Sequence, residues 1–511
     1  MIDQSTLRQA TSDRNPWVIA ILLASAVAIA LVIIYLPLWL AAGLIFLLLF
    51  LALTLTYPLF GLGVALLLGP FGALESIVIG TPLLDSGQLA LLFAFAAWLS
   101  SGLARRRLVI PRTQLNLPLI LFILIALLSL VDSRSVVSGL IETIKWLEML
   151  LIIWLIVDIS LDEQHHPRRY ANAFQGLLVA LLLAGLIQAM IGIWQFGPRG
   201  HGPEHFMVLG RFFRAYGTFE QPNPFGGFMN MSALLAVGIV IGLLHSRKSG
   251  STGLISFGKG RYYFPWLAFA TLCAAASLLA VVFSWSRGAW LGLIAGAIIL
   301  VMFSSNRLRN GLLLLFIIGF IGTGVLLVGA SRGYGPALSI AGRLSGFQEE
   351  FTLGDVRGVD INDANYAVLE RLAHWQAAVD MARDNLWTGV GFGNYETAYE
   401  NYALINWPAA LGHAHNYYLN LLAEVGLFGL IAYLLFWLVV AWQSLKLIPR
   451  LMWPERGVVV GFLAVFAALA VHHLVDKLYV NNVYVHLGVM LGLLQLLAWP
   501  GYYGRRTVES P

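Results

Sequence analysis

The residues of this chain that could do chemistry fall into three short clusters. The first is Arg211-Phe-Phe-Arg214-Ala-Tyr216-Gly217-Thr218-Phe-Glu220-Gln-Pro-Asn223-Pro224. The second is Ser284-Trp-Ser286-Arg287-Gly288, and the third is His413-Ala-His415-Asn416. Each stands just before an apolar run long enough to be a helix. Helix N-termini present unsatisfied N–H groups and a partial positive charge, so they attract anions. Arg211, Arg214 and Arg287 add guanidinium forks that match phosphate oxygens two at a time. If the three runs are neighbours, a phosphate or diphosphate site results. A histidine at a helix N-terminus has its charged form disfavoured. His413 or His415 would then be neutral and able to accept a proton as a general base.

Simpler roles compete with these. Asn223 before Pro224 is a good N-cap and N1 pair, and Ser286 also reads as a cap. A lone arginine such as Arg211 often anchors lipid headgroups. Arg287, in a tight turn between two runs, fits that role less well. His413 reads equally as a solvated loop residue. Glu142, Lys145 and Glu148 follow at i, i+3 and i+6 on one helical face, which suits mutual pairing or a proton or ion pathway. His472, His473, Asp476 and Lys477 read as interfacial residues or as partners of the site. Gly389-Val-Gly391-Phe-Gly393 lacks a βαβ setting and is a turn, not a nucleotide loop. His413 and His415, at i and i+2 with no carboxylate close in sequence, argue little for a metal. Neither metal nor cofactor is expected.

The elements that must position these residues are membrane helices. Of 511 residues, 59% are hydrophobic and 11% charged, against roughly 25% charged in a soluble domain. That excludes a soluble fold, and it excludes disorder, which needs a polar chain. About 20 apolar residues span a bilayer. Candidate spans are 17–35, 37–55, 58–80, 87–103, 115–131, 137–158, 172–196, 224–245, 264–283, 289–303, 311–330, 417–443, 457–475 and 481–499. The expected fold is an all-α polytopic membrane protein with about 12–14 transmembrane helices. The stretch from Trp17 is too long for a cleavable signal. Cys273 is the single cysteine, so no intrachain disulfide can form.

Basic residues set the orientation. The net charge of +5 reads as cytoplasmic loops, not as a nucleic-acid site. Arg105–Arg107, Arg168–Arg169, Arg247–Lys248 with Lys259 and Arg261, Arg307 with Arg309, Lys446 to Arg456, and Arg505–Arg506 all fit one side. Placing them in the cytoplasm leaves an even number of spans between successive groups. Both termini are then cytoplasmic, and the three clusters face the opposite side. The chain divides into motif-free N-terminal helices (1–110), a core (111–330) with the loop 197–223, a large extracytoplasmic loop (331–416) and C-terminal helices (417–511). Within the large loop, 364–384 predicts an amphipathic helix with Val368, Leu372, Trp375, Ala378 and Met381 on one stripe. Asp363 is its expected N-cap.

The motifs resemble those of the O-antigen ligase family. His415-Asn416, nine residues, Gly426, two residues and Gly429 is similar to its signature. RAYGTFEQPNPFGGF resembles its Arg-x-x-Gly-Thr-Phe…Pro-Asn motif, SWSRGAWLG its Ser-Arg-Gly turn, and WTGVGFGNYETAY its glycine-rich stretch. The resemblance covers roughly residues 205–440 with four motifs in the family's order. The spans in 17–103 carry no motif, and fourteen spans exceed the number usual in the family. The resemblance implies a glycosyltransferase C-type fold in the bacterial inner membrane. It implies metal-independent, inverting transfer of a glycan from an undecaprenyl-diphosphate donor to a sugar acceptor, either lipid A-core or a growing polysaccharide. The implied roles are His415 as base and Arg214 and Arg287 as diphosphate binders. Arg211, His413 and Asn416 are expected to bind substrate beside them. A polymerase of the same family would share this chemistry. A transporter or flippase of lipid-linked glycans is the rival from another class, with Glu142, Lys145 and Glu148 in its favour.

Overall fold

The structure is a computed structural model. It describes residues 37–80, 84–107, 109–162, 167–208, 210–249, 262–304, 356–361 and 365–499, with a few isolated positions besides. The spans expected at 17–35 and 311–330 lie outside the described residues, as do Asp363 and most of 331–364.

Helices dominate. The first half holds α1 (Leu38–Thr56), α2 (Pro58–Leu68), α3 (Gly72–Ile79), α4 (Ser86–Ala104), α5 (Asn116–Leu128), α6 (Val136–Asp162) and α7 (Pro167–Phe196). A two-residue hairpin follows, β1 (Met207–Val208) with β2 (Phe212–Phe213). Then come α8 (Pro222–Ser249), α9 (Tyr263–Phe283) and α10 (Arg287–Ser304). The large loop contributes α11 (Tyr366–Asp384) and α12 (Tyr395–Tyr399), and the chain continues with α13 (Tyr417–Leu447), α14 (Glu455–His472) and α15 (Val483–Ala498). Among the described residues, nine helices are long and apolar enough to cross a membrane, and α5 and α15 are shorter apolar helices. α6 is long enough but carries Glu142, Lys145 and Glu148. The chain is an all-α, multi-pass membrane protein.

Close packing decides which helices meet. α8 packs on α9 and α14, and α14 also on α10. A Cβ at Gly238 would stand 2.6 Å from the Gly461 Cα, and one at Gly457 2.5 Å from the Gly242 Cα. Small residues one turn apart on both helices therefore let the two backbones touch, as van der Waals packing in lipid requires. The run 58–80 differs from expectation. It is broken by a 3₁₀ turn at Gly69–Phe71, because Pro70 supplies no N–H to the ladder. At such a break side-chain donors reinforce the backbone carbonyls, as a membrane setting favours. Thr218 donates its hydroxyl to the Pro70 carbonyl, and the Asn482 amide donates to the Gly69 carbonyl at 3.2 Å.

α13 is also broken. Gly426 has φ 63° and ψ −167° inside it, and the glycine-rich segment of the large loop docks on the break. Val390 and Gly391 donate to the carbonyls of Ala423 and Glu424, each at 2.9 Å, and Leu427 donates to Leu386 at 2.8 Å. The large loop carries its own small core of Ala377, Ala378, Met381, Tyr395, Ala398 and Tyr399, closed by Ala414 and Ala423. The helix expected at 364–384 is therefore present, but its buried stripe is different. Leu369, Ala373, His374, Ala377, Ala378, Met381 and Ala382 are buried, whereas Val368, Leu372 and Trp375 are only partly so. Four alanines let α11 lie close against the loop, which a hydrophobicity count cannot foresee. Asn365 stands at its N-cap.

Candidate active site

The first two clusters meet. Arg214 follows β2, and its Nε donates to the Ser284 carbonyl at 3.0 Å while Nη2 donates to Asn223 Oδ1 at 3.2 Å. The neighbouring Ala215 N–H reaches the Phe283 carbonyl at the end of α9, at 2.9 Å. Asn223 thus anchors Arg214, and the helix begins one residue earlier, at Pro222. Ser286 is a cap: its Oγ accepts from the Ala289 N–H at 3.3 Å. Arg287 is the first residue of α10 and is exposed. Burial, then Arg371, then Arg287, lower the Arg214 guanidinium below its ordinary value.

Two glutamines fix the Arg214 loop. Gln195 Oε1 accepts from the N–H groups of Tyr216 and Gly217 at 3.0 and 2.7 Å, and its Nε2 donates to the Gly217 carbonyl at 2.7 Å. Gln188 Oε1 accepts from the Thr218 N–H at 3.1 Å. Both are on α7, seven residues apart and so on one face. Arg211 does not join this group. It is exposed at the hairpin turn, with its guanidinium 5.5 Å from the Phe212 ring.

The third cluster is a strained loop at the start of α13. His415 has φ 52°, a left-handed conformation that costs a non-glycine residue roughly 1–3 kcal/mol. Several bonds hold it there. Its N–H donates to His413 Nδ1 at 3.0 Å, and the Ala414 N–H donates to Asn420 Oδ1 at 3.0 Å. Asn416 caps α13, its Oδ1 accepting from Tyr418 and Leu419 at 3.1 Å each. Asn416 therefore holds the loop in place, with its side-chain oxygen committed to that cap.

Tertiary structure adds residues the motifs do not contain. Asp476 Oδ1 lies 3.6 Å from His413 Nε2. Since His413 Nδ1 accepts a hydrogen bond, its proton belongs on Nε2, facing that carboxylate. Lys477 lies 3.4 Å from Glu142, which also meets Lys145 at 2.7 Å. Glu142 and Lys145 are therefore paired, and Lys477 from the loop before α15 joins them. His374 of α11 faces His415 edge-on with centroids 5.8 Å apart, and its Nδ1 meets the Tyr395 hydroxyl at 2.9 Å.

Burial dominates the electrostatics. Burial first, then Lys477, His374 and Arg371, press His413 well below the usual imidazole range. Burial, His413 and Arg371 do the same to His415, against an opposing pull from Asp476. Burial lowers His374 to about 4. All three rings are neutral near pH 7. His415 Nδ1 is enclosed and has no hydrogen-bond partner among the described residues.

His413, His415 and Asp476 each offer a ligand atom within 4.8 Å of the others. The sequence showed no carboxylate close to the two histidines; folding supplies one from a distant loop. Three such groups can hold a divalent ion, but Arg371 acts on both histidines and Lys477 on His413, and both oppose a cation.

The whole is a cationic site with neutral histidines at one end of a multi-pass helix bundle. The O-Antigen ligase family matches residues 272–434, a stretch running from α9 through the Arg287 turn and the large loop into α13. The match supports placing the chain among the O-antigen ligases and polymerases. No curated protein matches the chain. Arg214 and Asp476 lie outside the matched residues and reach the site only through the fold.

Proposed function

We propose that the protein is a membrane glycosyltransferase that moves a glycan from an undecaprenyl-diphosphate donor to a sugar hydroxyl at the extracytoplasmic face. The observation that carries this reading is that Arg371 lies within electrostatic reach both of Arg214, which Arg287 also reaches, and of the neutral, strained His415. The donor diphosphate lies against Arg214 and Arg287. Nε2 of His415 takes the proton of the acceptor hydroxyl. The acceptor oxygen bonds to the anomeric carbon as the bond to the diphosphate oxygen breaks on the opposite face, so the configuration inverts. The charge that develops on the leaving lipid diphosphate is stabilised by the arginines and the helix N-termini. The diphosphate ester is already activated, so no nucleotide is consumed, and no step requires a metal. His413, held by Asp476, orients the base loop. Lipid A-core as acceptor makes the enzyme a ligase, and a growing polysaccharide makes it a polymerase.

The test is a transfer assay with full-length protein, lipid-linked donor and EDTA. Turnover should survive EDTA and fall by a factor of about 100 or more in His415→Ala. Near-normal turnover in both His415→Ala and Arg287→Ala would remove the assigned roles. Loss of activity in EDTA, restored by zinc, would replace the base with a metal held by His413, His415 and Asp476.

A further inference from the structure

Arg371 is absent from every motif, yet the fold turns it toward the site. It lies on α11 three residues before His374, and residues so spaced share a helix face. His374 on that face meets His415 ring to ring at 5.8 Å. Arg371 is partly buried. It stands within electrostatic reach of Arg214 from the hairpin loop, of His413 and His415 from the base loop, and of His472 at the end of α14. Three separate segments thus converge with α11 on one place. Among the described residues Arg371 forms no hydrogen bond or ion pair. Its neighbour Glu370 attracts it electrostatically but accepts its hydrogen bond from Tyr366.

The charges here are unbalanced. Arg371 and Arg287 both act on Arg214, and no carboxylate is among the groups that shift it. Like charges in a partly buried setting repel strongly. A helix that carries an arginine without a hydrogen-bonded partner into such a setting gains when an anion with more than one charge occupies it.

We propose that Arg371 is a third guanidinium of the diphosphate site, reaching it from the large loop while Arg214 and Arg287 approach from the membrane helices. The proposal rests on the reading of that site as a diphosphate site. It gives the large loop a direct part in donor binding. It also links donor binding to the base, because His374, one turn along α11, packs on His415.

The experiment uses full-length protein in nanodiscs and inorganic pyrophosphate as the probe. Affinity is measured by calorimetric titration for wild type, Arg371→Gln, Arg371→Lys, Arg214→Gln and Arg287→Gln. KM is measured separately for donor and acceptor. Arg371→Gln should weaken pyrophosphate binding and raise the donor KM by roughly 10- to 100-fold, with Arg371→Lys between it and wild type. The acceptor KM should change little. Wild-type pyrophosphate affinity in Arg371→Gln, with loss in Arg214→Gln, overturns the role of Arg371 and leaves the diphosphate reading standing. A raised acceptor KM with an unchanged donor KM also overturns it. Unchanged affinity in all three arginine-to-glutamine variants means that the diphosphate reading itself has failed. A general disturbance of the loop would show as faster amide exchange at Val390 and Gly391, with no rescue by lysine; that result counts against the proposal.

Discussion

Replacing Gly426 by alanine should detach the large loop from α13. The φ of 63° and ψ of −167° at this residue lie in a region that is essentially glycine-only, and occupying it costs another residue roughly 1–3 kcal/mol. The space is also taken. A Cβ would stand 2.3 Å from the Trp387 carbonyl carbon and 2.4 Å from its oxygen. Those are backbone atoms and cannot rotate away. Overpacking of this kind typically costs about 1–3 kcal/mol more. The loop would have to retreat, breaking the bonds of Val390 and Gly391 to Ala423 and Glu424. Gly389 is bonded to Asn385 just beyond α11 at 2.8 Å, so the disturbance reaches the helix that carries Arg371 and His374. Even about 2 kcal/mol of local destabilisation speeds amide exchange roughly 30-fold. Exchange at Val390 and Gly391, followed by mass spectrometry on the full-length protein, should show at least that change, and transfer activity should fall with it. Gly43→Ala is the control, since nothing lies within 4 Å of a Cβ there. Unaltered exchange and activity in Gly426→Ala would refute the argument that this glycine lets the loop dock.

The depressed histidines set the pH behaviour. With His415 neutral well below its ordinary range, kcat/KM for the donor should stay near its plateau at about pH 5.5, where an imidazole of pKa about 6.5 is largely protonated. An acid limb centred near 6.5 would contradict the buried, neutral base. His374, at about 4 when folded and about 6.5 when unfolded, binds its proton less readily in the folded state. Its contribution to stability is full above the unfolded value and is lost as pH falls toward the folded one. Melting temperature should therefore decline between about pH 6.5 and 4, and His374→Gln should flatten that decline. Thr218→Val removes the hydroxyl that donates to the Pro70 carbonyl and lies 3.1 Å from Gln188 Oε1. A loss of about 1–3 kcal/mol is expected, seen as earlier cleavage in a thermal proteolysis ramp; an unchanged ramp would mean that the broken helix does not depend on that bond.

The legible parts of this protein are those where one physical preference dominates. Runs such as 417–443 and 457–475 were readable because a membrane helix has no choice but to be apolar, and both are present as α13 and α14. The Ser286 cap was readable because capping is local. The stripe on α11 was not, since Leu369, Ala373 and Ala377 against Leu372 and Trp375 is decided by what packs above them. Asn223 misled for a similar reason: a good cap in sequence was used instead to hold Arg214. Gln188 and Gln195 did leave a signal. Two amides seven residues apart in an apolar helix need partners on one face.

The sequence by itself determined the solvent, the helical elements and the three short segments that carry arginine and histidine. Those follow from composition and from local rules of helix termini. Only the tertiary structure decided that Asp476 stands against His413, that Arg211 stays outside while Arg371 turns in, and that a glycine in α13 is a docking point for the loop above it. These depend on contacts between residues tens to hundreds of positions apart. Such contacts are set by close packing and by the need of buried polar groups for partners, which no local pattern encodes.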